Sequence, residues 1–264
     1  MTAGSPGPVR VDRHDGGVAE LVLDRPDALN AVSTDLARAL DAATRELADD
    51  GSVRAVVVSS SSARAFCVGA DLKERSHFTD DDLRRQREIT RHAYGGVLAL
   101  PMPVVAAVEG FALGGGLEIA LACDLVVASG TAVLGLPEVS VGVIPGGGGT
   151  QLLARRIGWS RAADLVFTAR RVDAAEAYRL GVVDRVVGAG AARAEALSLA
   201  ATMAGHSPVG QRNAKKAMRL GLDVDLASGL EIEDACWRAT AFSGDRAEGV
   251  RAFAEKRAPK WPGA

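Results

Sequence analysis

The chain has 264 residues, 48% hydrophobic and 24% charged, a balance that excludes an intrinsically disordered chain and allows one substantial core. Its formal charge of −2 gives no global attraction to nucleic acid or an anionic membrane, so any polyanion site must be local. Cys67, Cys123 and Cys236 are odd in number and set in apolar surroundings, and His14, His77, His92 and His206 show no paired-ligand spacing, so neither a disulfide framework nor a metal site is expected.

The opening MTAGSPGP lacks the basic and apolar regions of a signal peptide, and no stretch reaches the length of a membrane span. The expectation is a cytoplasmic chain with a flexible N-terminus over residues 1–8. Val18 to Leu23 reads as a strand stopped by Pro26, and Val53 to Val58 as a second, buried strand. Between them the spacing predicts a helix, with Ser33 as N-cap and Leu36, Leu40, Ala43 and Leu47 on one face. Val104 to Val108 and Leu125 to Ala128 are further strands, separated by a Gly-rich segment whose residues after Gly116 suit a short buried helix.

From Gln151 onward the pattern is mainly helical. Asp173 and Glu176 form a capping box with Gly181 as the stop, and Val182 to Val187 reads as one more strand. Ser207, Pro208 and Gly221 delimit another helix. Asp245 and Glu248 repeat the capping box, opening a last helix that runs to about Ala258, before Pro259. This gives a core over residues 9–200 and a helical subdomain over 201–264.

Three segments carry chemistry, each following a strand: AFCVGADLKE at 65–74, GFALGGGLEIALACD at 110–124 and GLPEVSVGVIPGGGGTQ at 135–151. Glycines at such points let backbone amides approach a ligand, and two amides converging on one oxygen make an oxyanion hole. Gly115, at the positive end of a helix dipole, is one candidate donor and Ala70 the other. Glu118 lies in the first turn of the same helix and Glu138 follows Pro137. Carboxylates in such apolar stretches have raised pKa values, and one protonated with one ionised glutamate is what adding water to a double bond requires. A lone Glu in a first helical turn more often only complements the dipole; the coincidence with two amide donors is what favours chemistry.

Other cofactor classes fit poorly. No GxGxxG follows the first strand, GGGGTQ lacks the lysine of a phosphate-binding loop, and no GxSxG elbow is present.

From about Leu23 to Lys260 these segments resemble the crotonase, or enoyl-CoA hydratase/isomerase, superfamily. CVGADLKER, LGGGLEIALACD, IPGGGGTQ, VDLASGLEIEDAC and EKRAPKW are most similar to the methylglutaconyl-CoA hydratase branch, some members of which bind AU-rich RNA. The resemblance implies an α/β fold of the ClpP/crotonase-like class, a ββα-superhelix spiral with a C-terminal helical region used in trimerisation, as a homotrimer or a hexamer. It implies a reversible, syn-type addition of water to a 2-enoyl-CoA, with 3-methylglutaconyl-CoA a candidate substrate. Glu118 and Glu138 would be catalytic, and the amides of Ala70 and Gly115 the oxyanion hole. Arg25, Val68, Ala70, Asp71, Leu72, Lys73, Gly114 and Gly146 would line the substrate and coenzyme A site, joined by Phe253 and Lys256 from a neighbouring subunit. No cofactor beyond the substrate's own coenzyme A is implied.

Asp27 departs from the family, several of whose members carry a basic residue there. The helical face that displays lysines in RNA-binding relatives reads Thr34, Arg38 and Ala42 here, so RNA is not an expected partner. A double-bond isomerase or acyl-CoA hydrolase on the same scaffold, and an RNA-binding or scaffolding protein, are the alternatives. Which glutamate acts as acid and which as base stays open.

Overall fold

The computed structural model describes residues 7–264. Of the segment expected to be flexible, residues 1–6 lie outside that range, while the Pro8 carbonyl accepts from Asp24 N at 2.9 Å. Among the described residues, ten strands form two sheets. They are β1 (Val9–His14), β2 (Val18–Leu23), β3 (Ala55–Ser60), β4 (Ala65–Cys67), β5 (Val104–Val108), β6 (Phe111–Leu113), β7 (Leu125–Ser129), β8 (Val133–Gly135), β9 (Arg171–Asp173) and β10 (Arg185–Val187). The helices are α1 (Thr34–Asp49), α2 (Leu72–Arg75), α3 (Asp80–Ala99), α4 (Gly115–Ala122), α5 (Gly149–Ile157), α6 (Trp159–Thr168), α7 (Ala174–Leu180), α8 (Ala192–Ala204), α9 (Pro208–Gly221), α10 (Leu226–Ala241) and α11 (Gly244–Ala254).

The larger sheet has the order β1-β2-β3-β5-β7-β10, parallel except for the β1–β2 pair; the smaller has the order β4-β6-β8-β9, parallel except for β8–β9. Chain order explains this arrangement. Each turn lays one strand in the larger sheet and the next in the smaller, then closes with helix: β3-β4-α2, β5-β6-α4, β7-β8-α5. Val56, Val58, Val104, Ala106, Val126 and Ala128 face the main core with Leu36, Leu40, Phe66, Leu117 and Leu134. Alternate residues of the same strands, Ala55, Val57, Val105 and Val127, pack under the alanine face of α8. Strands buried on both faces read as continuous apolar runs, which is why they are visible in the sequence.

Ser33 and Ser207 cap α1 and α9 as expected, accepting from Leu36 N and Gly210 N. Asp173 caps α7, but Glu176 reaches Arg170 at 2.8 Å rather than closing a box. The expected strand over Val182 to Val187 narrows to β10, because Val182 N and Val183 N are engaged by the Ala177 carbonyl at the end of α7.

The last helix corrects the sequence reading twice. Ser243, not Asp245, is its N-cap and accepts from Arg246 N; Asp245 and Glu248 lie inside the helix, nearly fully buried. The helix ends at Ala254, four residues early, because Lys256 adopts a left-handed φ of 53°. Among the described residues, no helix is long and apolar enough to cross a membrane.

Candidate active site

The three Gly-rich segments leave the smaller sheet side by side. β4 runs into Gly69 and Ala70, β6 into Gly114 and α4, and β8 into Pro137 and the short 3₁₀ turn Glu138–Val141. Close approach of the first two requires glycine. A methyl group on Gly116 would lie 2.0 Å from the Cys67 carbonyl oxygen, and one on Gly69 would lie 2.9 Å from that of Leu113 and 3.1 Å from Gly115 N.

Ala70 pairs with Val32 in a parallel bridge made by Val32 N donating to the Gly69 carbonyl and Asp71 N donating to that of Val32. Ala70 N takes no part in it. Gly115 is the first residue of α4, where an N–H has no intrahelical acceptor. Among the described residues neither amide donates a hydrogen bond. The structure thus brings two unengaged donors beside one another, Gly115 at the positive end of a helix. The helix begins two residues earlier than the sequence suggests, its start set by Gly114 at φ 53° and ψ −127°.

Glu118 is 3% exposed. Its Oε1 accepts from Gly147 N at 2.6 Å and Gly149 N at 2.8 Å, so the IPGGGG loop wraps the carboxylate that α4 presents. Burial raises its pKa, opposed by those two amides and by the Arg87 guanidinium. Glu138 lies across the site: a methyl group on Gly114 would stand 3.0 Å from its Oε1, and its buried Oε2 has no hydrogen-bond partner among the described residues. Burial, with a smaller contribution from Glu118, pushes the Glu138 carboxyl up to about 7. Such a group is part protonated at neutral pH, whereas an ordinary carboxylate is not.

The remaining expected residues divide. Gly114 is buried between Gly69 and Glu138, and Gly146 lies beside Arg87, whose Nη1 would be 3.4 Å from a methyl group there. Val68 is half-buried and donates to the Leu29 carbonyl at 3.3 Å; Leu72 and Lys73 stand exposed on the rim in α2. Asp71 caps α2 by accepting from Lys73 N and Glu74 N. Arg25, expected to meet a phosphate, is instead a brace: its Nη atoms donate to Asp71 Oδ2 at 3.1 and 3.2 Å and to the Ala31 carbonyl. The part-buried ion pair with Asp71 offsets the cost of turning the Arg25 guanidinium inward. Phe253 and Lys256 lie at the far end of α11, Phe253 strongly exposed, and are not part of the cluster formed within one chain.

Two residues near the glutamates escape the sequence reading. Tyr94 and Arg87 both come from α3, whose buried positions are Gln86, Thr90, Ala93, Tyr94 and Val97. That face is too polar and too small-residue to show as an apolar stripe, although Thr79 and Asp82 do form a capping box at its start.

A profile of enoyl-CoA hydratase/isomerase matches residues 13–264. The chain belongs to the enoyl-CoA hydratase/isomerase family. It is 42% identical over 251 residues to mouse enoyl-CoA hydratase domain-containing protein 2, mitochondrial, covering 94% of this chain and 85% of that protein. Human methylglutaconyl-CoA hydratase, mitochondrial, is 40% identical over 257 residues, covering 96% and 76%. Among solved structures, the enoyl-CoA hydratase of Bacillus anthracis matches with a TM-score of 0.95 at 38% identity, covering 97% of this chain and all of that one. The spiral of paired sheets is therefore the crotonase fold, and this member of the family is an enzyme of the hydro-lyase type.

Proposed function

We propose that this enzyme adds water reversibly, in the syn sense, across the double bond of a 2-enoyl-CoA thioester, with Glu118 as base and Glu138 as acid. The observation that carries the reading is the pair of carboxylates flanking two unengaged amides: Glu138 poised near neutrality, Glu118 held by two backbone donors. In this mechanism the thioester oxygen sits between the amides of Ala70 and Gly115, which hold enolate charge as it develops. Each such donor is worth roughly 3–4 kcal/mol in the transition state. Water oxygen bonds to C3 as its proton passes to Glu118; the π pair moves onto C2, which takes the proton of Glu138. No metal or prosthetic group is needed, because carboxylates and water exchange all the protons.

Support for a dicarboxylic substrate such as 3-methylglutaconyl-CoA comes from the relative bearing that name. In this reading the coenzyme A lies along Val68 to Lys73, with Phe253 and Lys256 of a second copy closing over it. The exposed Met218, Leu222, Leu226, Leu230 and Trp237, on α9, just past its end and on α10, support self-association as a trimer or a dimer of trimers. A cytoplasmic location belongs to the same proposal.

A panel of thioesters including crotonyl-CoA and 3-methylglutaconyl-CoA, scored by loss of conjugation absorbance and by product mass, tests the function. Gain of one water by at least one member is expected. Double-bond migration without mass change would mark an isomerase, free coenzyme A a hydrolase, and no reaction at all would sink the catalytic reading.

A further inference from the structure

Tyr94, a buried residue packed against the loops around the glutamates, carries a hydroxyl that the reaction just described leaves without a task. It is 7% exposed, and its ring is wedged between the two loops that build the site. A methyl group on Gly147 would meet ring carbons at 2.5 and 2.7 Å and Glu118 Oε2 at 2.8 Å; one on Gly115 would meet the Tyr94 hydroxyl itself at 2.3 Å. The phenol oxygen therefore lies against the residue that supplies one of the two free amides, and the ring edge lies against the residue that touches the unbonded oxygen of Glu118. The hydroxyl makes no hydrogen bond within the protein among the described residues and is not one of the fully buried unpartnered atoms, so it is open to a molecule in the site.

From this arrangement we infer that Tyr94 is a water-orienting donor: its O–H points at the oxygen atom being added to, or removed from, C3 of the acyl chain. The inference rests on the hydration reading. A water molecule poised for addition has two hydrogens and two lone pairs. One hydrogen must face Glu118 Oε2, because Oε1 is engaged by Gly147 N and Gly149 N. The carboxyl of Glu138, which keeps acceptor capacity beside the proton bound for C2, takes the other hydrogen. Of the lone pairs one must face C3, and an O–H donor on the second fixes the molecule in that orientation instead of letting it spin between carboxylates. Tyr94 is suited to donate: burial above all, then Cys67, Glu118 and Glu138, against Arg75, keep its phenol protonated. Its proton is not transferred; the O–H bonds that break are one of the water molecule, whose proton passes to Glu118, and that of Glu138, whose proton passes to C2. In the reverse reaction the same donor holds the leaving 3-hydroxyl.

The test compares ligands that differ only in that oxygen. Dissociation constants of 3-hydroxybutyryl-CoA and butyryl-CoA are measured for the wild-type protein and for Tyr94→Phe, which keeps the ring between Gly115 and Gly147. The substitution is expected to weaken the hydroxy ligand about tenfold relative to the saturated one, and to lower kcat for hydration by about 10- to 100-fold with KM nearly unchanged. A merely structural role would weaken both ligands equally, and an unchanged ratio of the two constants would overturn the assignment. Should Tyr94→Phe fold poorly, the chain's only two tyrosines, Tyr94 and Tyr178, permit 3-fluorotyrosine labelling. The Tyr94 fluorine signal should then move with 3-hydroxybutyryl-CoA and not with butyryl-CoA; identical shifts would overturn the idea. Wild-type protein that hydrates no enoyl-CoA would remove the underlying function as well, whereas hydration with an unchanged ligand ratio removes only Tyr94.

Discussion

Two pairs of acidic side chains, three of them buried and Glu138 half-buried, are treated in opposite ways by this fold. At the start of α11, Asp245 accepts from Ser207 Oγ, Val209 N and Gly263 N, and Glu248 is gripped by Arg251, Arg257 and Lys260 N. Those partners drive the Glu248 pKa down, the Arg257 hydrogen bond first among them. Around the Gly-rich loops, Glu118 has two backbone amides on one oxygen, and Glu138 has an orphaned oxygen; among the described residues neither forms an ion pair. Their pKa values rise. A carboxylate with both oxygens engaged fastens the C-terminal helices and tail to one another, while one left short of partners can exchange a proton at neutral pH.

The sharpest break of that contrast is mutational. Glu118→Gln and Glu138→Gln should each lower kcat by about 10²- to 10⁴-fold, with melting temperature at pH 7 unchanged or slightly raised. Glu248→Gln should do the reverse. It leaves two guanidinium groups facing a neutral amide, and a melting temperature lower by about 4 °C or more is expected, with activity per folded molecule retained. Calorimetry and steady-state kinetics on the three variants decide whether the two pairs really have separate duties.

A smaller effect concerns pH. Glu138 must be protonated to deliver its proton, so kcat/KM for hydration should fall as pH rises through about 7. Glu118 must be ionised, so the acid limb follows its raised pKa, and Arg87 holds that pKa below what burial alone would give. Removing the cation in Arg87→Gln should move the acid limb toward higher pH and leave the alkaline limb in place. The change in kcat at pH 8 should be under about twofold, since an exposed guanidinium is well screened. The same sign governs stability. The raised Glu138 pKa favours the fold at low pH and the benefit is lost as pH rises through about 7, whereas the Glu248 contribution is present at neutral pH and lost on acidification.

Much of the core was legible because its signals are local. Val56, Val58, Val104 and Val126 lie in apolar runs, and Ser33 and Ser207 sit where a helix needs an acceptor. Glu118 and Glu138 could be singled out because their Gly-rich context is as unusual as they are. Asp245 and Glu248 match a capping box just as well on paper, but Ser243, two residues earlier, takes the cap, and distant Arg257 and Gly263 decide where those acids point. Tyr94 and Arg87 were invisible for a related reason. Tyr94 stands 21 residues before Gly115 in the chain, and only the packing of α3 across α4 brings its hydroxyl to that glycine.

The most direct test of the uncompensated-carboxylate claim is a titration of the Glu138 carboxyl carbon by NMR in protein labelled at glutamate side chains, assigned by loss of the signal in Glu138→Gln. A midpoint near 7 is expected, well above the ordinary glutamate value of 4.5. A midpoint at or below that ordinary value would mean that Glu138 carries no proton at neutral pH, and its role as the acid would be contradicted.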